Sequence, residues 1–229
     1  MFERFNIFKK EETGPQEREA FSQFDQFYES SMSRGEGEKI LSSIASDAKR
    51  EYVWAFDEER SLWIYFPSKS SEDIDVSRGH SRHEITIPKE LLKPPGASSD
   101  VYHIHPDILV DVLVKNRKPG WHSEEFLRVS NQMPKEDDLH AASVLINNGY
   151  KTFKVVTSLG VTTLKFFSEK LDPKQERHDI EGVTINQEMI YGALKEGVNP
   201  AIRKVFEELN RHYGGVFVYE FHPLSEDSE

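Results

Sequence analysis

Two imidazoles stand at i and i+2 in Val101-Tyr102-His103-Ile104-His105-Pro106. Side chains of an extended chain alternate between faces, so His103 and His105 project the same way and can share one small target. A metal ion is the most economical such target. Pro106 ends the strand by removing a ladder donor, and it biases His105 toward extended geometry. The bland alternative is a solvated strand end that happens to carry two histidines. A zinc site needs at least one further protein ligand. The chain has no cysteine, so disulfides and thiolate sites are excluded and a metal must be held by histidine and carboxylate.

The length, 229 residues, suits one well-buried domain or one domain with an appended lobe. Forty acidic against 29 basic residues give a formal net charge of -11, which argues against a nucleic-acid-binding surface. No apolar run approaches the ~20 residues of a membrane span, and the start Met-Phe-Glu-Arg-Phe-Asn-Ile-Phe lacks the long apolar core of a signal peptide. The expectation is a cytoplasmic protein that acts on neither membrane nor nucleic acid.

Several elements must position the histidines. Phe21, Phe24, Phe27 and Tyr28 fit one face of a helix that begins near Pro15 and is interrupted at residues 33–37. A second helix is predicted from Glu38, with Ile40, Leu41, Ile44 and Ala48 buried, running up to Arg50-Glu51. Residues 52–56 and 61–66 read as a hairpin, 68–82 as a loop, 83–88 as a strand and 100–105 as the histidine strand. Residues 108–114 fit helix or strand equally well. Pro134 and the carboxylates at 136–138 open a helix whose buried stripe is Leu139, Ala142, Leu145 and Ile146, and Asn147-Asn148-Gly149 stops it. Strands at 152–157 and 160–167, helices at 186–195 and 200–212, and a strand at 215–221 complete the chain.

In this order the pieces resemble the JAMM, or MPN-type, metalloprotease domain. There a glutamate begins the strand after the first helix, and the signature continues with His-x-His-Pro and then Ser-x-x-Asp. The resemblance covers roughly residues 38–167, and His103-Ile104-His105-Pro106 is its most specific part. It implies an α/β (α+β) fold, a central mixed sheet flanked by helices in a cytidine deaminase-like layout, with a C-terminal helical addition. The implied organisation is an N-terminal arm and helix over residues 1–37, a catalytic domain over 38–170, and an α/β extension over 171–229 packed on the same domain.

Carried over residue by residue, the resemblance implies zinc held by His103, His105 and Asp138, with Glu51 as the general base for the attacking water. The activity it implies is hydrolysis of an amide or isopeptide bond in a protein or peptide, ubiquitin-like conjugates being the first substrate class. Glu51 could instead be an ordinary solvated helix-end carboxylate. Two departures stand out: residues 107–137 form a long insertion where the family has a short gap, and Lys135 occupies the serine position. A lysine there could supply positive charge to an oxyanion or leave that place vacant. Ser123 and Ser130 also lie in the insertion, without an aspartate three residues on. Asp107, Asp111, His122, Asp137 and His140 are rival ligands, while His80 and His83 read as structural.

The insertion between Pro106 and Pro134, whose middle at residues 116–125 is polar and turn-rich, is expected to be a lid or substrate-reading segment outside the core, with Trp121 and His122 as substrate contacts. Thr157-Ser158-Leu159-Gly160 resembles a phosphate loop only weakly, because no helix follows it. Two readings compete with the protease: a metal-free MPN-like scaffold or interaction module, and a RadC-like relative whose reaction is not proteolysis.

Overall fold

A computed structural model of the chain describes residues 32–48, 51–66, 89–115, 122–166, 187–213 and 217–224. The aromatic helix expected near residues 15–32 and the loop and strand at 68–88 lie outside the described residues, as do His80, His83, Trp121 and the acidic tail.

Helix α1 (Arg34–Asp47) starts at the place where the sequence suggests an interruption. Ser33 and Glu36 explain why. The Ser33 hydroxyl accepts from the Glu36 N–H at 3.3 Å while the Glu36 carboxylate accepts from the Ser33 N–H at 3.1 Å, a reciprocal cap that satisfies two otherwise orphaned donors. Gly37 is no helix breaker here. A Cβ at that position would sit 2.3 Å from the Trp63 indole, so the glycine admits a fully buried tryptophan. The helix also ends sooner than predicted, with Ala48 already extended. The Ala45 carbonyl, left over at that end, accepts from the Asp107 N–H at 2.9 Å, which docks the chain just after Pro106 onto α1.

Strands β1 (Tyr52–Asp57) and β2 (Leu62–Phe66) form the expected hairpin. After a 3-10 turn at Lys89–Leu92, β3 (Ser99–Ile104) pairs antiparallel with β1 and parallel with β4 (Thr152–Val156). Between β3 and β4 lie three helices: α2 (Ile108–Lys115), α3 (Glu124–Gln132) and α4 (Glu136–Asn147). A parallel neighbour requires such a crossover. Strand β5 (Gly160–Phe166), helices α5 (Gln187–Ala193) and α6 (Val198–Tyr213), and strand β6 (Phe217–Pro223) follow. The fold is α+β, with a mixed six-stranded sheet of order β2-β1-β3-β4-β5-β6 flanked by helices.

Alternation along the central strands sorts the core into two layers. Tyr52, Trp54, Phe56, Trp63, Tyr102 and Ile104 pack with Leu41, Ile44 and Ala45 of α1. Val53, Ala55, Val101, Phe153 and Val155 face the opposite way, against residues of α3, α4, α5 and α6. His103 shares this second face with Val101.

Part of the insertion belongs to the core rather than to a lid, while residues 116–121 of its middle lie outside the described residues. Phe126, Val129 and Met133, spaced i, i+3 and i+7, are all buried in the second layer, so α3 is core. Ser123 caps it by accepting from the Phe126 N–H at 3.2 Å. Residues 108–115, undecided from periodicity, are helical, with Val110 and Val112 buried.

Candidate metal centre

Register brings the candidate residues together before any side chain is considered. Val53 pairs with His103 and Tyr52 with Ile104 across the antiparallel β1–β3 ladder. Glu51, one step before Tyr52, therefore shares the Val53 face and lies beside the histidine pair. From the opposite side comes α4. Asp138 sits in its first turn, where its Oδ2 accepts from the Lys135 N–H at 2.7 Å, a bond that satisfies one helix-end donor and fixes the carboxylate.

Four side chains converge. His103 Nδ1 is 2.7 Å from Asp138 Oδ1, and its Nε2 is 3.2 Å from Glu51 Oε2. His105 Nδ1 lies 2.8 Å from the Asn131 carbonyl oxygen. A carbonyl can only accept, so Nδ1 carries a proton, and in the neutral tautomer Nε2 bears the lone pair. That Nε2 is buried 3.1 Å from Asp138 Oδ2, an ion pair when the ring carries a second proton and two facing lone pairs when it does not. The two rings meet edge to face, with centroids 4.8 Å apart.

Burial intensifies these contacts. His103, His105 and Asp138 are each 1% exposed or less; the Glu51 side chain, at 13%, is the most open of the four. Burial alone would neutralise His103, but the Asp138 and Glu51 carboxylates outweigh it and push the imidazolium up to about 10. Burial would likewise raise Glu51, but the His103 charge and hydrogen bond hold it down to about 2, with a smaller pull from Lys135. Asp138, despite its burial, is held well below the usual carboxylate range by His105 and His103.

Glu51, His103 and His105 each offer a ligand atom, and these atoms lie within 4.8 Å of one another. Among the described residues this cluster could bind a metal ion. His105 Nε2 fits that purpose, because a ligating histidine commonly donates its other ring N–H to a carbonyl or carboxylate. His105 does so to Asn131.

Asp107, Asp111 and His122 lie elsewhere, and the Asp137 side chain falls outside the described residues. Asp107 faces Arg128 at 3.9 Å and bonds to Ser158, and burial raises its pKa. Asp111 is exposed. His122 stacks on Phe126 with centroids 4.0 Å apart, and its Nδ1 is 2.5 Å from the Tyr191 hydroxyl. His122 precedes the N-cap of α3, at the opposite end of that helix from Asn131. The Lys135 side chain is exposed, and its backbone, rather than its ammonium, holds Asp138.

Two residues at the centre escape the sequence reading, Asn131 and Gln132. Both are buried at the end of α3, and Gln132 is fully so. A polar side chain three residues after Val129, on the apolar stripe, is the signal that could have revealed Gln132.

No protein-family model matches the chain, and neither the curated proteins nor the solved structures provide a match. Among the described residues, no helix is long and apolar enough to cross a membrane.

Proposed function

We propose that the chain is a zinc hydrolase of the JAMM, or MPN, type, cleaving an amide or isopeptide bond in protein substrates such as ubiquitin-like conjugates. The observation that carries this reading is His105 Nε2: a buried nitrogen whose ring is oriented through Nδ1 by the Asn131 carbonyl, which faces Asp138 Oδ2 at 3.1 Å with His103 and Glu51 beside it. Zinc favours such imidazole and carboxylate donors. When bound, the ion would supply a Lewis acid and lower the pKa of an attacking water to about 7.

Two carboxylates compete for the third ligand position, and burial separates them. Asp138 is buried with both oxygens engaged by His103, His105 and the Lys135 N–H, as suits a fixed ligand. Glu51 reaches the cluster from its more open side. Ionised and at hydrogen-bond range of His103, it is placed to take a proton from water and return it to the leaving amine. Lys135 brings positive charge near Glu51 and serves as the candidate for stabilising negative charge on the substrate oxygen.

One observation favours a metal-free scaffold instead: His103 bridges both carboxylates and offsets part of their charge without an ion. One imidazolium cannot balance two carboxylates, and that shortfall of positive charge in a buried cluster weighs against it. Elemental analysis of purified protein separates the two. The hydrolase reading expects one zinc per chain, lost to a chelator, and zinc-dependent cleavage of a lysine ε-amide in a ubiquitin-like conjugate. Protein that takes up no zinc would leave the scaffold, and zinc uptake without amide cleavage would leave a RadC-like, non-proteolytic relative.

A further inference from the structure

The turn at Thr157–Gly160, discounted above as a phosphate loop, lies between the two sheet faces and is pinned from both. On one side the Ser42 hydroxyl of α1 donates to the Thr157 carbonyl. On the other, Gln132 makes a closed set of bonds to the β4–β5 hairpin. Its Nε2 donates to Thr162 Oγ1 at 2.7 Å, its Oε1 accepts from the Thr157 hydroxyl, and its own carbonyl accepts from the Thr162 hydroxyl at 3.3 Å. Thr157 Oγ1 in turn accepts from the Leu159 N–H at 3.1 Å. Gln132, Thr157 and Thr162 are each at most 1% exposed, where every lost partner strands a polar group without water to replace it.

A buried network of this kind does more than join α3 to the sheet. The residue before Gln132 supplies the carbonyl that takes the His105 Nδ1 proton, and the Asn131 amide reaches back to the His105 carbonyl at 3.5 Å. The Asn131 carbonyl belongs to the last turn of α3, one of the four that a helix end leaves without an intrahelical partner. Its direction is therefore set by whatever holds that turn, and Gln132 holds it. The parallel strand completes the frame, because the His105 N–H donates to the Val156 carbonyl at 2.9 Å, immediately before Thr157.

We propose that Gln132 is a positioning residue for the metal centre. By clamping the last turn of α3 to Thr157 and Thr162, it aims the Asn131 carbonyl at His105 Nδ1, fixes the Nδ1–H tautomer and presents Nε2 as a ligand. The metal-binding consequence rests on the hydrolase reading; the tautomer does not. Gln132 touches neither substrate nor reacting atoms in this scheme, and its effect passes through Asn131 and His105.

Two measurements on Gln132→Met test this. The first is ¹⁵N NMR of His105 in chelated protein, in which the unsubstituted chain is expected to show a protonated Nδ1 and an unprotonated Nε2, and Gln132→Met a mixture of tautomers. The second is zinc affinity, expected to weaken about 10–100-fold, the usual cost of losing an outer partner of a ligating histidine. Leu209→Ala, a core truncation on α6, is the control for general destabilisation, and it should lower the melting temperature without moving either readout. If Gln132→Met does not fold, Thr162→Val removes the Thr162 bonds at similar volume and should shift both readouts the same way, with Thr162→Ser restoring them. A pure Nδ1–H tautomer in the folded variant would overturn the proposal, as would zinc affinity unchanged from the parent. Absence of zinc binding in the parent chain would instead overturn the hydrolase reading and leave the tautomer result to decide the role of Gln132.

Discussion

Both faces of the sheet bury charge, and they do so differently. Against α1, Arg34 pairs with Asp100 at 2.7 Å, and Glu38 takes bonds from both Lys154 and the Tyr102 hydroxyl, at 2.7 and 2.8 Å. Thr152 donates to the second oxygen of Asp100 at 2.6 Å. The carboxylates there meet permanent cations. Against α3 and α4, Glu51 and Asp138 meet two imidazoles, whose charge depends on a proton. A lysine or arginine closes a buried carboxylate for good. A histidine keeps it exchangeable, and exchangeability is what a metal needs, because ligands must give up protons to bind it.

The contrast can be broken most severely at the site itself. Asp138→Ala should abolish zinc retention, read by elemental analysis after gel filtration; retention of a full equivalent would move the third ligand to Glu51. Glu51→Gln should keep zinc and lose amide hydrolysis by ~10²–10⁴-fold, the usual weight of a general base. Turnover equal to the parent would place the base elsewhere. On the α1 face the effect should fall on stability. Glu38→Ala strands Lys154, at a cost of about 3 kcal/mol for a broken buried pair, measured by denaturant unfolding, with zinc affinity unchanged. A matching loss of zinc affinity would mean that the two faces are not independent.

The smallest effect is a pH dependence peculiar to the site face in chelated protein. The folded pKa of His103 is raised from 6.5 to about 10, so its contribution is complete below pH 6.5 and lost as pH rises toward 10. That of Glu51 is lowered from 4.5 to about 2, so its contribution is complete above pH 4.5 and lost as pH falls toward 2. The melting temperature should therefore be highest between about pH 4.5 and 6.5. His103→Gln should flatten both flanks. A steady rise in melting temperature from pH 6.5 to 9 would contradict the ion-pair picture.

Much of this was legible in the sequence because alternation and capping are local. His103 and His105 share a face as the i, i+2 rule requires, and Pro134 with its following carboxylates opens α4 where Asp138 is needed. Other features depend on contacts between distant residues. Gly35 and Gly37 read as a break, since propensity cannot know that Trp63 requires the missing Cβ at Gly37 or that Ser33 and Glu36 cap the helix. The insertion reads as a lid because it is long and its middle is polar, and the Phe126, Val129 and Met133 stripe that makes α3 core is too short to outweigh that pattern. Asn131 acts through its backbone carbonyl, and a backbone group has no letter in the sequence.

The parallel β3–β4 pair has a kinetic corollary. Its partners are separated by the whole of α2, α3 and α4, and such long-range pairings form late because loop closure precedes any reward. Glu51, His103 and His105 precede the crossover and Asp138 lies within it, so the candidate ligand set is incomplete until the crossover has docked. An ion bound only to the finished arrangement should leave the refolding rate nearly unchanged and slow unfolding instead, acting as a latch on the native state rather than a template for reaching it.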